Sequence, residues 1–386
     1  MANTFTSVIP KIIAQGLMTL RESCVMPQLV NSDFGKEVKQ VGSTIDFPLP
    51  FPQVASDITP SATPVTAANT TNPTVQLVLN KWKMTDFFLT DKELHEINSD
   101  TFKGMQIAEA ARALANIVNA DILQEYKGVY GYTGTAGTTP FASTTAAATD
   151  ARKILATQLC PKGNRKGILN ADAEANALAL AAFQQVYQAG TDTTMKEGEI
   201  GRKFGIDWFM EDAAPTHTST ALTAGALTVN GVNAAGVGST DGGRTGTISL
   251  AKATNAAPLV KGDILAIAGF TQTYVVTADT TLGVGNTTVP IAPALKVATA
   301  GSEAVTLKAS HVVNLVFDPR AFAFANRPAA DGVFTGGNEF GQIQDPKTGI
   351  NLALEVSRQN HQTRWEFSIL YGVKLLRPEL AVRIAG

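Results

Sequence analysis

Six short β-prone runs crowded into one Gly- and Thr-rich stretch, residues 217–309, constrain this chain more than any other feature. They are Leu227–Val229, Thr247–Leu250, Asp263–Ile267, Thr273–Thr277, Thr288–Ile291 and Ala304–Leu307. Many short strands joined by Gly-rich turns suggest a small β-barrel. Mixed helix and strand signals precede the stretch and resume at His311. The barrel is therefore expected as an insert in a larger α+β fold, entering at an exposed loop whose two ends lie close together. At 386 residues the chain is longer than one core serves, roughly 250–300 residues, so more than one folded unit is expected.

Around the insert the strongest helical signal covers 101–127. Ile107, Ala111, Leu114, Val118 and Ile122 mark one face, with Ala110 and Ile117 beside them. Gln106, Glu109, Asn116 and Gln124 mark the other, Asp100 is placed to cap the start, and Gly128 to end it. At 1.5 Å per residue such a helix is about 40 Å long, the length of a domain. Just before it, Thr90 and Glu93 form a T-x-x-E capping box that opens a short helix through Ile97. A short helix is expected over 8–26, with Pro10 near its start and Ile13, Leu17, Leu20 and Cys24 as its apolar stripe. Further helices are expected over 147–159 and 171–188, and short strands over Gly167–Leu169 and Ile206–Met210.

Residues 40–90 read as two strands, opening with Thr44–Phe47 and closing with alternating Val75, Leu77 and Leu79. They flank a polar tip at about 50–73. A patternless loop of that length is generally functional or disordered, and a hairpin reaching beyond its own domain accounts for it. After the insert, His311–Phe317 is a strand. Ile350, Leu352, Leu354 and Val356, then Trp365, Phe367 and Ile369, alternate with polar residues on either side of a polar turn, Arg358–Thr363. That pattern predicts a long antiparallel hairpin with one buried face. Leu380, Val382 and Ile384 supply a last strand.

Only 17% of residues are charged and the net charge is −2, against roughly 25% charged for an average soluble domain. A weakly charged surface promotes association and suits a subunit covered by copies of itself. The lack of a basic excess argues against a dedicated nucleic-acid binder, while leaving weak DNA contact through a local patch open. The two cysteines, Cys24 and Cys160, are read as free and buried. No signal peptide is visible, and no apolar run is long enough to span a membrane, so folding in the cytoplasm of the producing cell is expected.

Chemistry is sparse. The four histidines, His95, His217, His311 and His361, show no metal-ligand spacing with one another or with cysteine. No phosphate loop, nucleophile elbow or C-x-x-C occurs. Glu93 with Glu96, and Glu211 with Asp212, are paired carboxylates that could do acid–base work only in a cleft that shifts their pKa values. No enzyme activity, cofactor or metal is expected. Lys81, Trp82 and Lys83 combine an aromatic with basic neighbours; such a trio stacks on a nucleic-acid strand or, the favoured reading, anchors a protein interface. Asp241 and Arg244, in the Gly-rich 238–247 loop of the insert, could each be half of an inter-subunit salt bridge.

The order of these parts, together with MANTFTSVIPKIIAQGLMTLRE, GRKFGIDWFMEDAAP, KGDILAIAGFTQTYVVTAD and WEFSILYGVKLLRPELAVRI, resembles tailed-phage major capsid proteins of the Hong Kong ninety-seven-type fold. The nearest type is the coat protein of the short-tailed Salmonella phage P twenty-two; the alternative reading is an encapsulin-type nanocompartment shell subunit, which shares the fold, and the Gly-rich barrel insert favours the phage reading. The resemblance implies an N-terminal arm at 1–39, an extended loop hairpin at 40–90 that lies over a neighbouring subunit, and a peripheral domain with spine helix at 91–144 and 336–386. It also implies an axial domain at 145–216 and 310–335, and the insertion barrel at 217–309, with 238–247 as the loop that reaches neighbouring capsomers. Implied partners are identical subunits in pentamers and hexamers, a separate scaffolding protein, a portal protein, a decoration protein in some relatives, and packaged double-stranded DNA held without sequence preference. No membrane partner is implied, and the implied location is the virion, assembled in the host bacterial cytoplasm.

Overall fold

A computed structural model describes residues 12–14, 16–19, 25–32, 44–49, 72–96, 99–185, 198–220, 226–239, 241–252, 257–327, 339–344 and 349–386. The chain divides into two compact units. One comprises Met1–Ile45, Leu77–Thr216 and His311–Gly386, the other Asp46–Gln76 and His217–Ser310.

The larger unit holds two sheets and a long helix. In the first sheet the strands run in the order Gly131–Gly134, Ala381–Ala385, His311–Phe317, Arg165–Leu169, Ile206–Met210, Arg202–Lys203. His311–Phe317 is antiparallel to both neighbours, whereas the pairs Gly131–Gly134 with Ala381–Ala385 and Arg165–Leu169 with Ile206–Met210 are parallel. Central strands covered on both faces lose polar alternation. Accordingly six of the seven residues of His311–Phe317, and all five of Ala381–Ala385, are buried. Gly167 lies directly under the Trp208 ring, where a Cβ would collide with it.

The second sheet is built on the 14-residue strand Gln362–Leu375. Phe322–Arg327, Asn351–Gln359 and Lys81–Thr90 all pair with it, and Glu339–Gln344 pairs with Asn351–Gln359. The C-terminal hairpin is present, and its turn is only Asn360–His361, both at positive φ (49° and 59°). Two such residues give the turn whose twist matches that of the flanking strands. The expectation of one buried face holds only towards the hairpin tip. At its base Leu352, Ala353 and Leu354 are all buried, so both faces are covered there.

The long helix is Ser99–Leu123, and its last turn tightens into a 3-10 segment, Gln124–Gly128. Asp100 thus lies inside the helix and not ahead of it. Ile107, Ala110, Ala111, Leu114, Val118 and Ile122 are buried as the spacing predicts. The buried arc is rotated towards Ala115 and Asn119, both fully buried, and this leaves Ile117 on the outside at 36% exposure. The capping box forms: Thr90 N–H donates to Glu93 Oε2 at 2.9 Å, and Glu93 N–H to Thr90 Oγ1 at 3.3 Å. It opens the helix Asp91–Glu96.

The helix expected over 171–188 stops at Ala179. It is capped by Asn170, whose Oδ1 accepts from Ala173 N–H at 3.2 Å. Leu180 is extended, and a separate turn, Ala181–Gln184, follows. Residues 12–14 and 16–19 are helical, with Ile13 and Leu17 in the core, and Met26–Leu29 is a separate short helix. Pro10, Leu20 and Cys24 lie outside the described residues. Cys160 is free and buried.

The smaller unit contains a closed barrel. Its strands run in the order Gly246–Lys252, Gly285–Ala292, Thr273–Val276, Ile264–Ile267, Ala304–Leu307, Leu227–Val229, and the last pairs back onto the first. These are the six runs read from sequence. Residues of Gly246–Lys252 are buried at every second position, and Ile248, Leu250, Val289, Ile291, Tyr274 and Leu265 meet inside. An extra pair, Ala257–Leu259 with Thr280–Leu282, lies outside those six runs; with Pro258 at its centre it is a two-stranded pair, where a proline can face away from the ladder. Thr44–Pro48 pairs with Thr74–Val78, and Leu49 N–H donates to Pro73 O at 2.8 Å. The tip expected between these strands lies outside the described residues over 50–71.

Candidate assembly surface

Strand Lys81–Thr90 carries three of the five candidate residues. Among the described residues it pairs with one strand only, in register from Lys81 opposite Tyr371 to Thr90 opposite Gln362. Successive side chains point to opposite faces of a strand. Lys81 projects towards the long helix, where its Nζ lies 3.0 Å from Asp121 Oδ1; the Tyr371 hydroxyl donates to the other oxygen of that carboxylate. Phe87, on the same face, stacks on Trp365 with centroids 5.3 Å apart. Trp82 stands on the opposite face at 68% exposure, and Lys83 is exposed on the helix side. The trio is therefore split. Lys81 is held by Asp121, and Trp82 does not share a face with either lysine, so the three do not form one platform for a nucleic-acid strand. Sequence reasoning stopped at Lys83 and missed that Met84 (55% exposed) and Phe88 (60%) continue the face that Trp82 begins. The signal was there in the spacing 82, 84, 88.

Asp241 and Arg244 come together within their own loop. Asp241 Oδ1 accepts from Ser239 Oγ (3.2 Å), Arg244 N–H (3.1 Å) and Thr245 N–H (2.9 Å), and Oδ2 accepts from Thr245 Oγ1 (2.7 Å). Partial burial works to raise the Asp241 carboxyl, but the bonds from Thr245, Ser239 and Arg244 outweigh it and hold it below the usual carboxylate range. This carboxylate shapes the 238–247 turn.

Two of the four paired carboxylates, Glu93 and Glu211, are committed to structure. Glu93 belongs to the capping box. Glu211 is buried, accepts from Asn119 Nδ2 at 2.8 Å, and through Asn119 Oδ1 is linked to Met26 N–H at 3.3 Å. Burial raises its carboxyl above the ordinary range, against the lowering effect of its hydrogen bonds from Ala213 and Asn119. Asp212 lines an open groove beside it with Val25, Ile117 and Met210. In the barrel, buried His217 Nε2 lies 2.9 Å from buried Asp263 Oδ1. His311 meets the Tyr132 ring edge-on, and exposed His361 sits 3.3 Å from Asp91. The side chain of His95 lies outside the described residues. Among the described residues no group of three His, Cys, Asp or Glu is placed to hold a metal, and no helix is long and apolar enough to cross a membrane.

No protein-family model matches the chain, and no curated protein sequence does. Solved structures do. That of Mycobacterium phage Che8 is 12% identical, with a TM-score of 0.50 over 94% of this chain and 90% of that one. The two share a fold. Also similar are the capsid structure of the cyanophage P-SCSP1u (12% identity, TM-score 0.45, 89% of this chain and 84% of that one) and the mature capsid of bacteriophage PhiM1 (10%, 0.45, 89% and 82%).

Proposed function

We propose that this chain is the major capsid protein of a tailed phage, a shell subunit and not an enzyme. The observation that carries the reading is the fold shared with a phage structure along nearly the whole chain. The low charge and the exposed apolar residues of strand Lys81–Thr90 agree with it, since large exposed apolar patches mark interaction sites. On this reading the fold is the Hong Kong ninety-seven type and closest to the P twenty-two coat. Residues 1–39 are the arm, 40–90 the extended loop, 91–144 with 336–386 the peripheral domain, 145–216 with 310–335 the axial domain, and 217–309 the insertion barrel. Copies form pentamers and hexamers by head-to-tail contacts that close on rotation, and these rings build the head. A separate scaffolding protein guides the procapsid, a portal protein occupies one vertex, a decoration protein binds outside in some relatives, and DNA touches the inner wall without sequence preference.

The test is to produce the chain with and without the protein encoded by its upstream neighbour gene and to examine both by sedimentation and negative-stain microscopy. Uniform closed particles are expected. A chain that stays monomeric under both conditions and forms neither rings nor shells would refute the reading.

A further inference from the structure

One face of the second sheet is closed by the long helix, through Lys81, Asp121 and Tyr371. The other face, at the edge strand, displays Trp82, Met84 and Phe88 at 68%, 55% and 60% exposure. Their cross-strand neighbours are Leu370 beside Trp82, Ser368 beside Met84, Glu366 beside Asp86 and Arg364 beside Phe88. Arg364 lies 2.6 Å from Asp86 and 3.2 Å from Glu366, so one guanidinium stands against two carboxylates. Three large apolar side chains left largely in water forgo the stabilisation that burial would give them. Something is expected to cover them.

The charges decide what. The face carries an acidic excess in its centre, which repels a phosphate backbone or an anionic lipid surface. Along the strand it reads apolar, charged, apolar: Trp82 and Met84, then Asp86 with Glu366 and Arg364, then Phe88. A row of this kind turned end for end matches itself. Apolar ends meet apolar ends, and the guanidinium of each copy approaches the carboxylate left unneutralised on the other. Self-matching patches of this kind form two-fold contacts.

We infer that the Trp82–Met84–Phe88 face of strand Lys81–Thr90 is a contact by which two copies of this chain associate, with Trp82 as the anchor. The inference rests on the shell reading above and adds which surface meets which. Tryptophan is among the residue types that carry a disproportionate share of interface energy.

Trp82 reports on its own surroundings. The chain has three tryptophans, and the other two, Trp208 and Trp365, are buried. Acrylamide quenching of wild-type fluorescence therefore reads Trp82 with no substitution needed. Quenching is expected to be strong in dilute, dispersed subunits and several-fold weaker in associated particles. Trp82→Glu and Phe88→Glu are each expected to raise the concentration needed for association at least tenfold, while Val284→Glu, which charges an exposed apolar residue of the smaller unit, leaves it unchanged. If particles form with Trp82 as quenchable as before, this face is not the contact and the shell reading stands. Protection already present in dilute subunits, independent of concentration, means that the chain covers its own face, and the inference falls. If the wild type does not associate at any concentration, both readings fall together.

Discussion

Glu211 shows how the fold treats a carboxylate that the sequence offers as a catalytic candidate. It is buried, its oxygens are taken by Asn119 and the Ala213 N–H, and burial lifts its carboxyl above the ordinary value of 4.5. An acid whose value is raised on folding binds its proton more tightly in the folded chain. Its contribution to stability is therefore greatest below the ordinary value and is lost as pH rises through the folded one. Glu174 is raised by burial and by Asp212, and adds to the slope with the same sign. Glu211→Gln keeps an oxygen for Asn119 and removes the titration. The variant is expected to melt above the wild type at pH 7, with the gap closing as pH falls towards 4.5, and with a residual slope from Glu174. Thermal melts at several pH values check this; equal slopes in the two proteins would show that Glu211 does not titrate in this window.

At the scale of elements, the end of helix Ala146–Thr157 departs from local preference. Cys160 N–H donates to Leu155 O at 2.9 Å and Leu159 N–H to Ala156 O at 3.1 Å, the paired bonds of a left-handed helix stop. The residue that must turn left-handed is Leu159, at φ 60° and 88% exposed, where glycine is usual. Leu159→Gly relieves that conformation and gives up little burial, so the variant is expected to be more stable by about 0.5–1 kcal/mol, read from a denaturation midpoint. The left-handed stop could not be read from sequence because no glycine marks it. The same logic separates what was legible from what was not. The six barrel strands and the C-terminal hairpin were readable because period-2 patterns and turn residues are local. The rotation of the long helix that buries Asn119 and exposes Ile117 depends on Glu211 and Met26, far away in the chain. The capture of Lys81 was not legible, since its partner Asp121 lies on another element, and Met84 and Phe88 look like core until the sheet shows that they share Trp82's exposed face.

At the scale of the molecule, the two units have separate hydrophobic cores: one runs through both sheets and the long helix, the other is confined to the barrel. Units with separate cores need not melt together, and a two-state description then fails for the whole chain. Calorimetry of the chain in dilute solution is expected to show two transitions. His217 and Asp263 lie inside the smaller unit, and Asp263 Oδ2 also accepts from Val260 N–H at 2.8 Å. His217→Ala leaves the buried Asp263 without that partner, at a cost of about 1–3 kcal/mol. It is expected to lower one transition and leave the other in place. A single transition that shifts as a whole would show that the barrel and the α+β unit unfold as one. The insert would then have to be regarded as part of one cooperative structure with the α+β unit, and each would be expected to respond to a lesion in the other.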